Sequence, residues 1–334
     1  MSARVDAQRS AASAQLIYQV ARSRGVPVRA CLRGSGLTDT ALNDSDALIT
    51  ASQELRLIDN VLGAIDDPTL GIDIGRRHTI GSFGIVAFGV LSSATVRSGL
   101  EFSMTYRRLA FIFTDPIMHS SGRHTKIVLP HPDAAVNTVH FLADLFTATL
   151  AAVLRALAPG HQPFRSITLP RQAPPNPGAW TSALGVCPRF ASPTTMAIFD
   201  PDTLDYRLPT SDAQARLYCE KRCTELLTQR RRQLGLADQV RNHLLRHKGA
   251  PITQQQVARD LGLADRTLHR KLAAEGISFR QLRDEALCAL AQEMLTQRQL
   301  SLAQIASTLG YEHSASFTRA YRRWTGHRPS DDRR

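Results

Sequence analysis

The last hundred residues contain an internal repeat with an offset of 48 to 49 residues. Its matched positions are Val257, Ala258, Leu261, Gly262, Leu268 and Leu272 in the first copy and Ile305, Ala306, Leu309, Gly310, Phe317 and Tyr321 in the second. A unit that occurs twice constrains the fold strongly, because each copy must bury the same apolar positions.

Each copy has the pattern of two short helices joined by a tight turn. The copies open with the capping-box patterns Thr253-x-x-Gln256 and Ser301-x-x-Gln304. The alanine of each copy allows the second helix to cross closely over the first, and the glycine suits a turn with a positive φ angle. We therefore predict two helix-turn-helix units.

The second helix of each unit separates apolar from polar residues. In the second copy, Phe317, Tyr321 and Trp324 follow the i, i+4, i+7 spacing of one helix face. The opposite faces carry Arg266, His269 and Arg270 in the first copy and Ser314, Thr318, Arg319 and Arg322 in the second. In helix-turn-helix proteins this helix enters the major groove, where arginine suits guanine and hydroxyl groups are less selective.

A longer helix is predicted between the two units. It spans 278–296 and begins at Ser278, with Gln281 in the capping-box position. A rigid connection would hold the two reading helices at one separation, so that they enter successive major-groove segments about 34 Å apart.

The distribution of charge agrees with a polyanionic partner. The chain has a net charge of +12, and its last 98 residues hold 16 Lys and Arg against 10 Asp and Glu. This region carries half of the net charge, which favours nucleic acid as the partner of the repeat.

Signals for export and membrane insertion are missing from the sequence. The first twenty residues lack a continuous apolar run, and the most apolar helix candidate, 137–157, is interrupted by His140, Asp144 and Arg155. The five cysteines form no CxxC pair, and we expect Cys219 and Cys223 to pack as apolar residues. These features predict a cytoplasmic protein.

The first two hundred residues mix helix and strand patterns, which predicts an α+β domain. Strands are expected at 109–114, 125–129, 165–169 and 196–199, and the glycine-rich stretch 81–89 is expected to pack as a helix. We predict an α+β effector and dimerisation domain over 1–211, a helical linker over 212–236, and an all-α DNA-binding domain over 237–334. In the last of these, the long helix joins the two helix-turn-helix units.

Two groups of motifs resemble a known family. The stretches LSLAQIASTLGYE (300–312) and SASFTRAYRRWTGHRPS (314–330) resemble the C-terminal signature of AraC/XylS-type bacterial transcription regulators. More loosely, residues 15–210 are similar to the arabinose-binding-like N-terminal domain of the ornithine- and acid-responsive branch of that family. The stretches GIDIGRR, GVLSSATVRSGLEF and FDPDTLDYRLPTSD carry this second similarity.

The resemblance implies a sequence-specific regulator of transcription that binds double-stranded operator DNA. It places base contacts at Arg266, His269, Arg270, Ser314, Thr318 and Arg319. We add Arg322 on the outward face and Arg323 as a phosphate contact. The family further implies a homodimer and a small-molecule effector bound to the N-terminal domain. Activation is favoured over repression, with RNA polymerase as a partner if the protein is an activator, and the sequence leaves this choice open.

One position departs from the family pattern. An aromatic residue usually precedes the last arginine of PSxxR, and this chain has Asp332 there. An acid cannot fill an apolar socket, which favours a frayed final helix.

Other chemistry finds little support in the sequence. His243 and His247 have the i, i+4 spacing of helical metal ligands, but no carboxylate or thiol partner is evident, so no metal site is expected. The stretch 81–89 lacks the GK[ST] ending of a phosphate loop, and catalytic motifs are missing, so neither a cofactor nor enzyme activity is expected. Arg97, Arg107 and Arg108 would suit an anionic effector, although surface positions fit them better.

Two alternatives remain open at this point. One is an enzyme domain fused to a DNA-binding tail, and the other is a protein that coats DNA without sequence preference. The modest charge of the last domain and its uncharged hydrogen-bonding residues disfavour the second.

Overall fold

The computed structural model describes residues 9–44, 47–110, 116–132, 134–233, 236–247, 252–297, 300–325 and 327–332. The chain forms two compact units, and the division between them falls after Thr228. This point lies inside a single helix, Ala213–Gln233.

The N-terminal unit combines helices with two antiparallel sheets. The strands are β1 Arg9–Ser10, β2 Leu48–Ile49, β3 Ile117–Ser121, β4 His124–Leu129, β5 Phe164–Thr168 and β6 Thr195–Phe199. Strands β1 and β2 pair with each other, and the larger sheet has the order β3-β4-β6-β5. The helices are α1 Ala12–Ser23, α2 Val28–Leu32, α3 Asp39–Leu42, α4 Ala51–Ala64, α5 Leu70–Arg77, α6 Ile85–Leu91, α7 Val96–Thr105, α8 Val136–Leu157, α9 Gly178–Leu184, α10 Pro201–Asp205 and α11 Ala213–Gln233.

Three of the four predicted strands are confirmed as β4, β5 and β6. The prediction for 109–114 is wrong at its start, where Leu109 ends a 3-10 turn, and 111–115 lie outside the described residues. The sequence did not reveal β3. That strand is an exposed edge whose residues, IMHSS, are mostly polar and give no apolar alternation.

Helix α8 is the central helix of this unit, as its apolar sequence predicted. It is long and apolar enough to cross a membrane, but it is largely buried inside the protein. Helix α5 packs against it through glycines: a Cβ on Gly71 would lie 2.7 Å from the carbonyl oxygen of Phe141. Because no real side chain tolerates that distance to backbone, only glycine permits this close approach.

Helix α11 packs onto the N-terminal core. Cys219 and Cys223 are buried there, which confirms their apolar packing, and burial raises the pKa of the Cys223 thiol to about 11. A thiol with so high a pKa is almost entirely protonated at neutral pH and is a poor nucleophile.

The C-terminal unit consists of helices in its described residues. They are α12 Leu236–Arg246, α13 Gln254–Asp260, α14 Asp265–Ala274, α15 Phe279–Gln297, α16 Leu302–Thr308 and α17 Ser314–Thr325. One apolar core lies among α12, α13, α14 and the start of α15, and a second lies among the rest of α15, α16 and α17.

The predicted local signals of the repeat are confirmed. Both capping boxes form, at Thr253 and at Ser301. Gly262 and Gly310 adopt φ angles of +70° and +79° in the two turns. Ser278 accepts a hydrogen bond from the backbone N–H of Gln281 and so caps the connecting helix α15. The fold is thus an α+β domain followed by two helix-turn-helix units joined by a long helix.

Candidate functional site

Helix α14 presents the first of two polar helix faces. Leu268 and Leu272 are buried on its inner side. Arg266, His269 and Arg270 are exposed on the other side, as the sequence predicted. The helix begins just after the turn at Gly262, so these residues fall within its first two turns.

Helix α17 presents the second polar face. Phe317 and Tyr321 have no exposed surface, and Trp324 packs partly buried against the same core. Their rings form a continuous aromatic cluster with Tyr311, with centroid separations of 5.8 to 6.4 Å. This cluster fixes the rotation of α17 about its axis, because any other rotation would expose the rings.

The predicted contact residues of α17 lie opposite that cluster. Ser314, Arg319 and Arg322 are exposed and Thr318 is half-buried. The Thr318 hydroxyl donates to the Ser314 carbonyl at 2.9 Å, which leaves its oxygen available only as an acceptor. Among the described residues, Arg319 makes a single long hydrogen bond, 3.4 Å, to Ser316, so its guanidinium remains available to a ligand.

Arg323 differs from the other arginines of this helix. Its guanidinium lies 3.2 Å from a carboxylate oxygen of Asp284 on α15. The ion pair ties the end of α17 to the connecting helix and neutralises part of the arginine charge. Sequence reasoning missed this pair, because its members are 39 residues apart.

Asp332 has a role that the sequence did not suggest. Its carboxylate accepts a hydrogen bond from the Tyr321 hydroxyl and lies 3.4 Å from Nδ1 of His327. Burial and this acceptor raise the pKa of Tyr321. The acid therefore needs no apolar socket, because it binds the polar end of a buried tyrosine. The backbone around it, 329–332, forms turns and not a helix.

The statement that His243 and His247 lack a carboxylate neighbour is wrong. Asp260, at the end of α13, places an oxygen 3.0 Å from Nε2 of His243. His247 donates from Nδ1 to the carbonyl of His243 at 2.8 Å, and the possible ligand atoms of the three residues lie within 4.8 Å of one another. The His243–Asp260 contact joins α12 to α13. The expectation that no metal binds here stays a prediction.

Protein partners hold two of the three arginines considered for an anionic effector, Arg97 and Arg107. Arg97 donates to Asp205 at 2.8 Å and to the Thr125 hydroxyl at 2.7 Å. Arg107 donates to the carbonyl of Met104 at 2.7 Å. These contacts give both side chains a structural role on the surface of the N-terminal unit.

A cavity of about 140 Å³, partly open to solvent, lies in the N-terminal unit. Its walls come from the turn before α6, from α6, α7 and α8, and from the end of β4. Representative wall residues are Phe83, Val86, Leu100, Phe146 and Val153. No sequence pattern marks this cavity, because its wall residues look like ordinary core positions of separate helices.

Comparison with known proteins identifies both units. Residues 25–208 match the family model "Arabinose-binding domain of AraC transcription regulator, N-term", and residues 257–334 match the model "Helix-turn-helix domain". The first match alone covers more than half of the chain.

Relatives match along most of their length. An uncharacterised HTH-type transcriptional regulator of Mycobacterium bovis is 29% identical over 326 residues, covering 95% of this chain and 94% of the relative. The ornithine utilization regulator of Pseudomonas aeruginosa is 31% identical over 271 residues, covering 80% and 79%. The crystal structure of the regulator CdpR from Pseudomonas aeruginosa covers 96% of both chains at 20% identity, with a TM-score of 0.47.

Proposed function

Since this chain belongs to the AraC family of transcription regulators, we propose that the exposed faces of α14 and α17 read the bases of its operator. The chain is a transcription regulator with a helix-turn-helix DNA-binding domain and an arabinose-binding-like N-terminal domain.

One observation carries the proposal: the two helix-turn-helix units leave matching polar faces, on which every predicted contact residue except the half-buried Thr318 is exposed. Arg266, His269 and Arg270 occupy the face of α14, and Ser314, Thr318, Arg319 and Arg322 occupy that of α17. Arginine at these positions can bond a guanine through two hydrogen bonds, which distinguishes one base pair from another. We assign Arg323 to a contact with the DNA phosphate backbone. Although it pairs with Asp284, its positive charge still attracts a phosphate group.

The N-terminal domain is proposed to bind a small-molecule effector and to form the homodimer. We propose that effector binding turns the protein into an activator that contacts RNA polymerase, and that it acts in the cytoplasm. The domain assignment remains 1–211 for sensing and dimerisation, 212–236 for the linker, and 237–334 for DNA binding. No enzyme activity is proposed for either domain.

Two substitutions on α17 test which arginine reads a base and which binds a phosphate. Arg319→Ala should weaken binding to the operator by about 1–3 kcal/mol and relax preference at one base pair, because a bidentate guanine contact is specific for sequence. Arg323→Ala should weaken all duplexes about equally and lower the salt slope by about one unit. The measurement is salt-dependent affinity of the full-length protein for a duplex selected by the wild type and for its scrambled version.

The matched control for these variants is Arg123→Ala. Arg123 is an exposed arginine of the N-terminal unit that pairs with Asp202 at 2.7 Å, much as Arg323 pairs with Asp284. Replacing Arg123 should change neither the affinity for the selected duplex nor the affinity for its scrambled version. If Arg319→Ala weakens both duplexes equally without altering thermal stability, Arg319 contacts the backbone and the assignment of the reading face is incorrect. A wild type with equal affinity for both duplexes would favour the DNA-coating alternative.

Dimerisation is proposed to use the outer side of α11. Leu217 and Tyr218 are 65% and 62% exposed there, whereas Cys219 and Cys223 face the core. Exposed apolar neighbours on a helix are typical of association surfaces. Wild-type protein at about ten micromolar, well above the dissociation constants expected for a stable dimer, should sediment as a dimer. The double variant Leu217→Glu/Tyr218→Glu should sediment as a monomer.

The control for dimerisation is Val136→Glu, which alters an equally exposed apolar residue on α8. It should remain dimeric. A wild type that stays monomeric, or a double variant that stays dimeric, would contradict this assignment.

A further inference from the structure

We propose that the cavity of the N-terminal unit binds an apolar ligand, such as an aromatic ring or a short alkyl chain, with at most one hydrogen-bonding group. This inference rests on the proposed function, which gives the N-terminal domain an effector. It specifies the place of binding and the chemical class of the ligand.

The chemistry of the described walls disfavours charged ligands. Within the described part of the chain, no lysine, arginine, histidine, aspartate or glutamate lines the cavity, and Ser103 and Thr149 are its only polar side chains. A charge placed against these walls would lose part of its hydration and gain no charged partner from the described residues, which disfavours binding. The same argument applies to a sugar, whose several hydroxyl groups need several partners.

The size of the cavity sets the size of the ligand. An apolar cavity of about 150 Å³ in another protein stays dry and binds benzene or xenon. The present cavity, at about 140 Å³, is of the same order. Transfer of an apolar molecule from water into such a space is favourable, and a ligand of roughly six to ten carbon atoms matches the available volume.

One wall residue has an unused hydrogen-bonding group. The Thr149 hydroxyl is buried and has no hydrogen-bond partner among the described residues. Thr147, on the same helix, instead donates to the carbonyl of Ala143 at 2.8 Å, and Ser103 donates to Leu100 at 2.8 Å. A single hydroxyl or carbonyl group on the ligand would satisfy Thr149 once its side chain rotates toward the cavity, because the hydroxyl oxygen itself has almost no accessible surface.

The cavity adjoins a helix that also contacts α11. Helix α7 contributes Leu100 and Met104 to the cavity wall. The same helix carries Phe102, whose ring lies 4.0 Å from the guanidinium of Arg216 on α11. Tyr106 is the residue directly after α7. Its hydroxyl shares a hydrogen bond of 3.2 Å with the hydroxyl of Thr224 on α11. A ligand in the cavity would therefore contact α7, the helix that packs against α11 through Phe102.

The test uses the full-length protein and four probe compounds: indole, 1-octanol, L-ornithine and L-arabinose. Thermal shift and titration calorimetry are measured for each. Indole or 1-octanol is expected to raise the melting temperature and to bind with a negative heat-capacity change, since apolar surface is buried. L-ornithine and L-arabinose are expected to leave the melting temperature unchanged.

Two substitutions on α8 locate the binding site. Val153→Trp should fill the cavity and weaken binding of the apolar probe at least about tenfold, because the added ring occupies the ligand volume. Val136→Trp makes the same change at an exposed position of the same helix and should leave the affinity unchanged. If Val153→Trp fails to fold, Leu150→Gln replaces it, since a polar wall should also weaken an apolar probe.

The outcomes separate this inference from the proposed function. Binding of L-ornithine or L-arabinose in place of the apolar probes, an absence of binding by both apolar probes, or unchanged affinity in the folded cavity variants would overturn the inference. Operator affinity is measured with and without the bound probe. If the probe binds in the cavity but operator affinity and transcription stay the same, the ligand class stands and the effector role in the proposed function fails.

Discussion

Replacement of Phe317 by alanine is expected to lower the free energy of unfolding of the C-terminal unit by about 3–5 kcal/mol. The Phe317 ring has no exposed surface and lies against Tyr311 and Tyr321, with centroids 5.9 and 5.8 Å away. Its removal leaves a cavity at the centre of the second helix-turn-helix core. An unfolding free energy of only about 5–15 kcal/mol is typical of a domain, so much of the stability would be lost.

The effect should be measured by urea unfolding of the full-length protein, followed by circular dichroism. Arg322→Ala, one turn away on the exposed face, is the control and should change stability by no more than about 0.5 kcal/mol. Operator binding of Phe317→Ala should fall in proportion to the unfolded fraction. If binding falls while the unfolding curve stays unchanged, Phe317 does not act through the core, and the rotation of α17 described above is incorrect.

Replacement of Asp144 by alanine should destabilise the N-terminal unit by about 3–5 kcal/mol, because it breaks a buried ion pair. Asp144 is 1% exposed, pairs with Arg171 and accepts a hydrogen bond from Nε1 of Trp180 at 2.9 Å. Burial raises the pKa of Asp144 to about 6, although Arg171 and Trp180 oppose the shift. Without the acid, the contacts left to the Arg171 guanidinium within the described residues are the Trp180 ring, 4.5 Å from it, and the carbonyl of Pro68.

Asp144→Ala could lose stability because an attraction is lost or because the Arg171 charge is left buried without a partner. The double variant Asp144→Leu/Arg171→Met distinguishes these two causes. Removal of both members of a buried pair is often close to neutral, whereas removal of one leaves a desolvated charge. The double variant should therefore recover most of the stability that Asp144→Ala loses in chemical denaturation. If the double variant is as unstable as the single one, the cost comes from the lost packing and hydrogen bond to Trp180.

The candidate DNA-binding face could be predicted largely from the sequence. The periodicity of Phe317, Tyr321 and Trp324 identified the buried side of α17, and the same reasoning from Leu268 and Leu272 oriented α14. These predictions succeed because helix spacing and apolar burial are decided within a few turns of chain. Whether the exposed residues contact bases is a separate question, which the arginine variants address.

Other features of the fold could be recognised only in the tertiary structure, because each is a contact between residues of different elements. The Arg323–Asp284 pair, the Tyr321–Asp332 hydrogen bond and the His243–Asp260 contact could not be read from spacing along one helix. Strand β3 was missed for a related reason: its pairing with β4, and not its own composition, makes it a strand.

The sequence by itself determined the repeat, the capped helices, the glycine turns and the apolar faces, because capping, positive φ and helical periodicity are local properties. Only the tertiary structure decided which arginines are held by acids and where the N-terminal unit leaves a cavity. A cavity is the space that packed helices fail to fill, so it depends on the relative placement of α6, α7 and α8 and not on the pattern of any one of them.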